Sequence, residues 1–145
     1  MIEKGKKHLL TAEYLLIQTY PTLKENKLLV TILSNLVLAL DEGISFILES
    51  ARKDKIIPPY NKDSLIVKIE LFRKFFSEKY NIKKIQTSLM FEMDNILKMH
   101  KNSAFEFQRE NKFVITDDKM NLQTITEKKT RDYYELVKKL YDNIE

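Results

Sequence analysis

The scarcity of chain-reversing residues constrains this sequence more than anything else in it. Its 145 residues include two glycines, Gly5 and Gly43, and three prolines, Pro21, Pro58 and Pro59. An all-β fold turns back on itself every few residues, and its tight turns draw heavily on Gly and Pro. A chain with so few of either is expected to build long helices. Its length suits one domain around a single core, without metals or disulfides to staple it. At 43% hydrophobic and 32% charged residues, it has the composition of an ordered globular chain.

Apolar periodicity places the helices. Residues 3–20 put Leu9, Leu10, Ala12, Leu16, Ile17 and Tyr20 on one broad face, and Pro21 closes the run. Glu13 falls inside that apolar arc and is expected either at its solvated edge or paired within the bundle. A second helix over residues 27–52 has an apolar arc wide enough for the central position, with Leu29, Ile32, Leu36, Leu40, Ile44 and Ile47 on it. Its narrow polar strip carries Thr31, Ser34, Asn35, Asp41, Glu42, Ser45 and Glu49, and faces solvent or lines a cleft. Residues 53–62, with Pro58-Pro59, form a loop. A third helix, capped by Asp63 or Ser64, runs to Tyr80 with Leu65, Ile69, Phe72, Phe76 and Tyr80 inward and Lys68, Glu70, Lys74 and Glu78 off the stripe. A fourth spans 82–101, with Ile82, Ile85, Leu89, Met93 and Ile96 buried.

After Asn102-Ser103 the period changes. Phe105 to Arg109 alternates, Lys112 to Thr116 is rich in β-formers, and Asp117-Asp118 reads as a turn. Residues 120–125 supply a third strand, and Thr124 or Thr126 then caps a last helix carrying Tyr133, Val137, Leu140, Tyr141 and Ile144. The expected fold is therefore mainly α: a single domain, 1–145, with five helices and a small hairpin or three-strand ribbon before the last.

Several chemistries are excluded or disfavoured. Without cysteine there are no disulfides, thiolate nucleophiles or cysteine-bound clusters, which fits a reducing compartment; a cytoplasmic location is expected. The N-terminal stretch lacks the pattern of a signal peptide. The apolar run Leu28 to Leu40 is shorter than the roughly 20 residues of a membrane span, so no membrane association is expected. Neither glycine has a second close enough for a phosphate-cradling loop, and His8 and His100 have no metal-ligand spacing. No cofactor and no metal are expected. The net charge of +4 permits nucleic acid without indicating it, and only Arg52, Arg73, Arg109 and Arg131 offer the guanidinium fork suited to phosphate.

One constellation remains as a candidate site. The segment Met99 to Arg109 gathers His100, Ser103, Glu106 and Arg109 where the fourth helix meets the ribbon, with Lys112 close behind. His100 continues the apolar stripe of its helix, so its ring turns toward the core or the mouth of the bundle, where it could act as acid or base. Arg109 and Lys112 could then hold an anionic oxygen, with Ser103 and Glu106 contributing to binding. The same residues also have structural explanations: His100 on the helix C-terminus, Ser103 capping a turn, and Arg109 paired with Glu106 or another carboxylate. A second grouping, Arg52, Lys53, Lys55, Lys62, Lys79, Lys83 and Lys84 with Tyr60 and Tyr80, could contact phosphates and stack a base, or be dispersed.

The pattern Lys7-His8-Leu9-Leu10-x-Ala12-Glu13-Tyr14-Leu15-Leu16, a short connection, then the long Leu28 to Leu48 helix with Ala39 resembles the opening helix pair of HEPN-like proteins. The resemblance covers residues 5–100. It implies a helical bundle, often a homodimer, associated with RNA cleavage or nucleotidyltransferase partners. The ribonuclease members carry an Arg followed within a few positions by a His. None of the four arginines here has that neighbour, so a non-catalytic module binding a protein partner or itself is expected. The alternative is a metal-independent RNA-cleaving or nucleotide-binding protein using His100 and Arg109.

Overall fold

In the computed structural model, which describes residues 2–144, the chain is mainly α. Helix α1 (Ile2–Tyr14) runs through a π-helical turn, Leu15–Thr19, into the short α2 (Tyr20–Leu23), so the three form one rod. Then come α3 (Leu28–Lys53), α4 (Leu65–Phe75) and α5 (Lys84–Lys101). Strands β1 (Phe105–Arg109), β2 (Lys112–Thr116) and β3 (Leu122–Thr126) form an antiparallel sheet, in sequence order, ahead of α6 (Glu127–Asp142). Counted this way the described residues hold five helical rods, with the sheet between the last two.

The centre is α3, as its wide apolar arc predicts. Leu29, Ile32, Leu36, Leu40, Ile44 and Ile47 are all buried, and α1, α4, α5 and α6 pack around them. By length and composition α3 could cross a bilayer, but here most of its apolar residues are covered by the other helices, Leu38 being the exposed exception. His8 lies 3.2 Å from Asn35 Oδ1, and Gly5 lies against Glu42, so α1 runs antiparallel to α3.

Both glycines face one side chain. A Cβ on Gly5 would stand 1.9 Å from the Tyr141 hydroxyl oxygen, and one on Gly43 would stand 3.1 Å from the Tyr141 ring. The hydroxyl donates to the Ala39 carbonyl at 2.7 Å. The two positions without side chains thus form a slot in the α1–α3 pair, and α6 fills it with an aromatic ring. Their role is close approach; neither has a positive φ.

Other tyrosines tie the helices in the same way. Tyr133 donates to Glu92 on α5, which also receives Lys129 Nζ at 3.0 Å, and Tyr134 donates to Glu13 on α1. Glu13 is therefore half-buried and paired, the second of its two expected settings. A buried hydroxyl without a partner is costly, so each bond removes a penalty as well as fixing a helix pair.

Several boundaries differ from expectation. The rod α1–α2 exposes Leu10, and it exposes Ile17 where the π turn places Leu16 and Tyr20 inside. Helix α4 begins at the expected cap, where Ser64 Oγ accepts from the Val67 N–H at 3.3 Å, but it ends at Phe75 rather than Tyr80. The segment 76–82 closes in turns, with Asn81 in the left-handed region at φ 55°. Phe72, Phe76 and Tyr80 still cluster, with Tyr80 5.9 Å from Phe72 and 6.5 Å from Phe76 by ring centroids. Helix α5 starts at Lys84 and leaves Ile85 exposed; Ile82, Met93 and Ile96 of the expected stripe are buried, and Met90 and Leu97 join them. Thr126 is the cap of α6, its Oγ1 accepting from the Lys129 N–H at 3.2 Å.

Candidate functional site

The ribbon is where the chain exposes chemistry. Side chains alternate across a strand, so the three strands build two faces. The inner face carries Phe113, Ile115 and Ile125, all buried against the helices. The outer face carries Phe105, Phe107 and Leu122, which are 49%, 38% and 60% exposed. The Phe105 and Phe107 rings stack with centroids 6.0 Å apart. Beyond them Arg109 and Lys112 stand opposite each other in register. With Phe107 and Leu122 they line a shallow depression of about 360 Å³ that also includes Glu110.

The hairpin between β1 and β2 is held by a residue distant in sequence. Its turn residue Glu110 has φ 55°, a conformation that costs energy for a residue with a side chain. The Asn26 amide, buried in the connection before α3, donates to the Glu110 carbonyl at 3.1 Å. Asn26 Oδ1 in turn accepts from the Tyr20 hydroxyl at 2.7 Å, a hydroxyl whose pKa is raised by burial and then by the Glu127 carboxylate. The end of the first rod therefore fixes the tip that carries Arg109 and Lys112.

The residues singled out from the sequence separate into two groups. His100 lies in the last turn of α5, its Nδ1 2.5 Å from Glu106 Oε2, with the ring 34% exposed. Ser103 Oγ donates to the His100 carbonyl at 3.1 Å and so closes the helix end. Arg109 follows Glu106 by three positions, about 10 Å along an extended strand. An odd offset also sends it to the opposite face. Thus His100, Ser103 and Glu106 meet at one end of β1 on its inner side, while Arg109 and Lys112 meet at the other end on its outer side. The Glu106 carboxylate can orient the imidazole. The cations expected to hold an anion beside it are on the other face. Arg109 makes no ion pair among the described residues.

The second basic grouping divides too. Arg52, Lys53 and Lys55 line an open depression of about 660 Å³ with Ile56 and Pro58. Lys62 turns to Glu49, 3.3 Å away, and Lys79 lies over the Tyr80 ring at 5.7 Å. The Tyr60 hydroxyl donates to Glu49 at 2.8 Å, which holds that carboxyl below the usual range.

One residue escaped the sequence reading. Lys68, placed off the buried stripe of its helix, is 5% exposed. Its ammonium reaches Asp41 at 2.5 Å and Ser45 at 3.0 Å, on the polar strip of α3. A lysine among apolar residues gives no sign in sequence of the carboxylate it will meet on another helix. The strip, with Glu49, Tyr60 and Lys62, lines an open depression of about 340 Å³. Among the described residues no three His, Asp or Glu side chains gather closely enough to hold a metal ion.

Comparison of the chain with protein-family models, with curated proteins and with solved structures finds no match in any of the three.

Proposed function

We propose that this chain is a non-catalytic interaction module, HEPN-like in its helical part, that binds a protein partner or a second copy of itself. The observation that carries this reading is the outer face of the ribbon. Two stacked phenylalanines and a leucine stand partly in water there, on a sheet whose other face buries Phe113, Ile115 and Ile125. Contiguous exposed apolar side chains rimmed by charge mark docking surfaces more often than chance scatter does. The antiparallel α1–α3 pair is what the HEPN resemblance requires and supports it. The separation of His100 from Arg109 supports the non-catalytic half. A cytoplasmic setting accords with the cysteine-free composition.

A second reading has its own observation. Exposed aromatic rings beside Arg109 and Lys112 also suit stacked bases and phosphates, so RNA binding on the same face is the alternative. RNA cleavage through His100 and Arg109 gains no support from their placement.

The test combines sedimentation of the purified chain over a concentration series with binding and cleavage of a mixed RNA pool in EDTA. Self-association weakened by Phe107→Lys, without cleavage, is the expected result. Cleavage lost in both His100→Ala and Arg109→Ala establishes the enzyme instead. Salt-sensitive RNA binding alone makes the face a nucleic-acid platform.

A further inference from the structure

We infer that β1 pairs with β1 of a second copy, in one register, joining two ribbons into a continuous six-strand sheet. The inference rests on the reading of the ribbon as the docking surface and names its occupant. Strand β1 is bonded on one side only, and four of its five residues are exposed. The other edge strand, β3, packs on α3 and α6.

The backbone sets which residues can bond outward. Arg109 and Lys112 flank a two-residue connection, so they form a mutually hydrogen-bonded pair. By alternation Phe105 and Phe107 also direct their N–H and C=O groups to β2. A bulge at Ala104, whose N–H donates to the Thr116 carbonyl at 2.9 Å, keeps that phase to the start of the strand. Glu106 and Gln108 are left with N–H and C=O groups facing the free edge.

Those two residues can bond outward about a two-fold axis in three registers. Centred on Glu106, the pairing sets two Glu106 carboxylates against each other, each already holding its own His100; centred on Gln108, it sets Glu106 against Glu110, a turn residue outside the strand, so that only the Gln108 pair is bonded. Like charges directly opposite are destabilising. Centred on Phe107, Glu106 of each copy meets Gln108 of the other in a fully bonded pair, and carboxylate faces amide. On the outer face Phe107 meets Phe107, and Phe105 of each copy meets Arg109 of the other, a cation over an aromatic ring. Every outer-face residue of β1 then has a complement supplied by the same five residues, and the exposed aromatic surface is covered by its own image.

The chain lacks cysteine, so a single introduced thiol reports one position. Phe107→Cys lies on the proposed axis in a non-bonded pair, where two Cα atoms come within disulfide reach. Under mild oxidation it is expected to give the covalent dimer at least tenfold faster than Leu122→Cys. Gln108→Pro removes only an outward N–H and leaves the bonds to β2, so its fold and melting temperature persist while the dimer dissociation constant rises at least tenfold. Leu10→Lys, at an apolar residue on α1 more exposed than Phe105 or Phe107, leaves that constant unchanged. A dimer indifferent to Gln108→Pro, or cross-linking no faster at residue 107 than at 122, overturns this interface but leaves self-binding standing. A chain that stays monomeric to roughly 1 mM overturns the pairing itself. The protein-docking reading is then judged separately: RNA binding in the pool assay that Phe107→Lys weakens replaces it with the nucleic-acid one.

Discussion

The interior of the helical bundle and the outer face of the ribbon both use aromatic residues, under opposite rules. In the bundle Tyr133, Tyr134 and Tyr141 are buried, and each hydroxyl has a named partner on another helix. On the ribbon Phe105 and Phe107 stack on each other with much of their surface left in water. The bundle spends its aromatics on holding the monomer together. The ribbon leaves two of its aromatics half in water, which is why the functional reading rests there.

The largest expected effect that would sharpen this contrast comes from the bundle. Gly5→Val should cost roughly 3–5 kcal/mol in denaturant unfolding, because the new side chain displaces the Tyr141 hydroxyl from Ala39 and overfills the slot. Pairing it with Tyr141→Phe should recover part of the loss. Within the ribbon, Ile125→Ala on the buried face should cost about 2–4 kcal/mol by the same measurement.

Alkali offers a third comparison. Burial, and then the carboxylates Glu92 and Glu13, push the Tyr133 and Tyr134 hydroxyls above their usual range; burial and then Glu42 do so for Tyr141. The folded chain thus favours the neutral phenols. Their contribution is complete below about pH 10, the value in an unfolded chain, and is lost as pH climbs toward the folded values. Phenolate absorbance from these tyrosines should therefore rise together with the loss of helical circular dichroism. Separate titration at the usual pH would break the account of the bundle. The smallest effect belongs to the open face, where Leu122→Ala should shift unfolding by less than about 0.5 kcal/mol.

Much of the fold was legible because helical and strand periods are local properties. The arc of α3, the cap at Ser64 and the change of period after Ser103 each followed from a few adjacent residues. The end of α4 did not, since Phe72, Phe76 and Tyr80 keep helical spacing although the backbone has left the helix. The tyrosine–carboxylate bonds were also hidden; Tyr134 and Glu13 lie 121 positions apart. Of the candidate site, the meeting of His100 with Glu106 came from proximity in sequence. The divergence of Arg109 was available too, in the odd spacing that separates it from Glu106 on an alternating strand. The self-complementarity of β1 became visible only once the sheet order left that strand at an edge.

The slot bounded by Gly5 and Gly43 also bears on how the chain assembles. Tyr141 reaches Ala39 across 102 positions, so the α1–α3 pair can form early yet must wait with an open notch until α6 arrives. Closure of so long a loop is slow relative to pairing of neighbours in sequence. The last turns of α6 act as a latch whose arrival completes the core, and a nascent chain still lacking Tyr141 would present that notch to solvent.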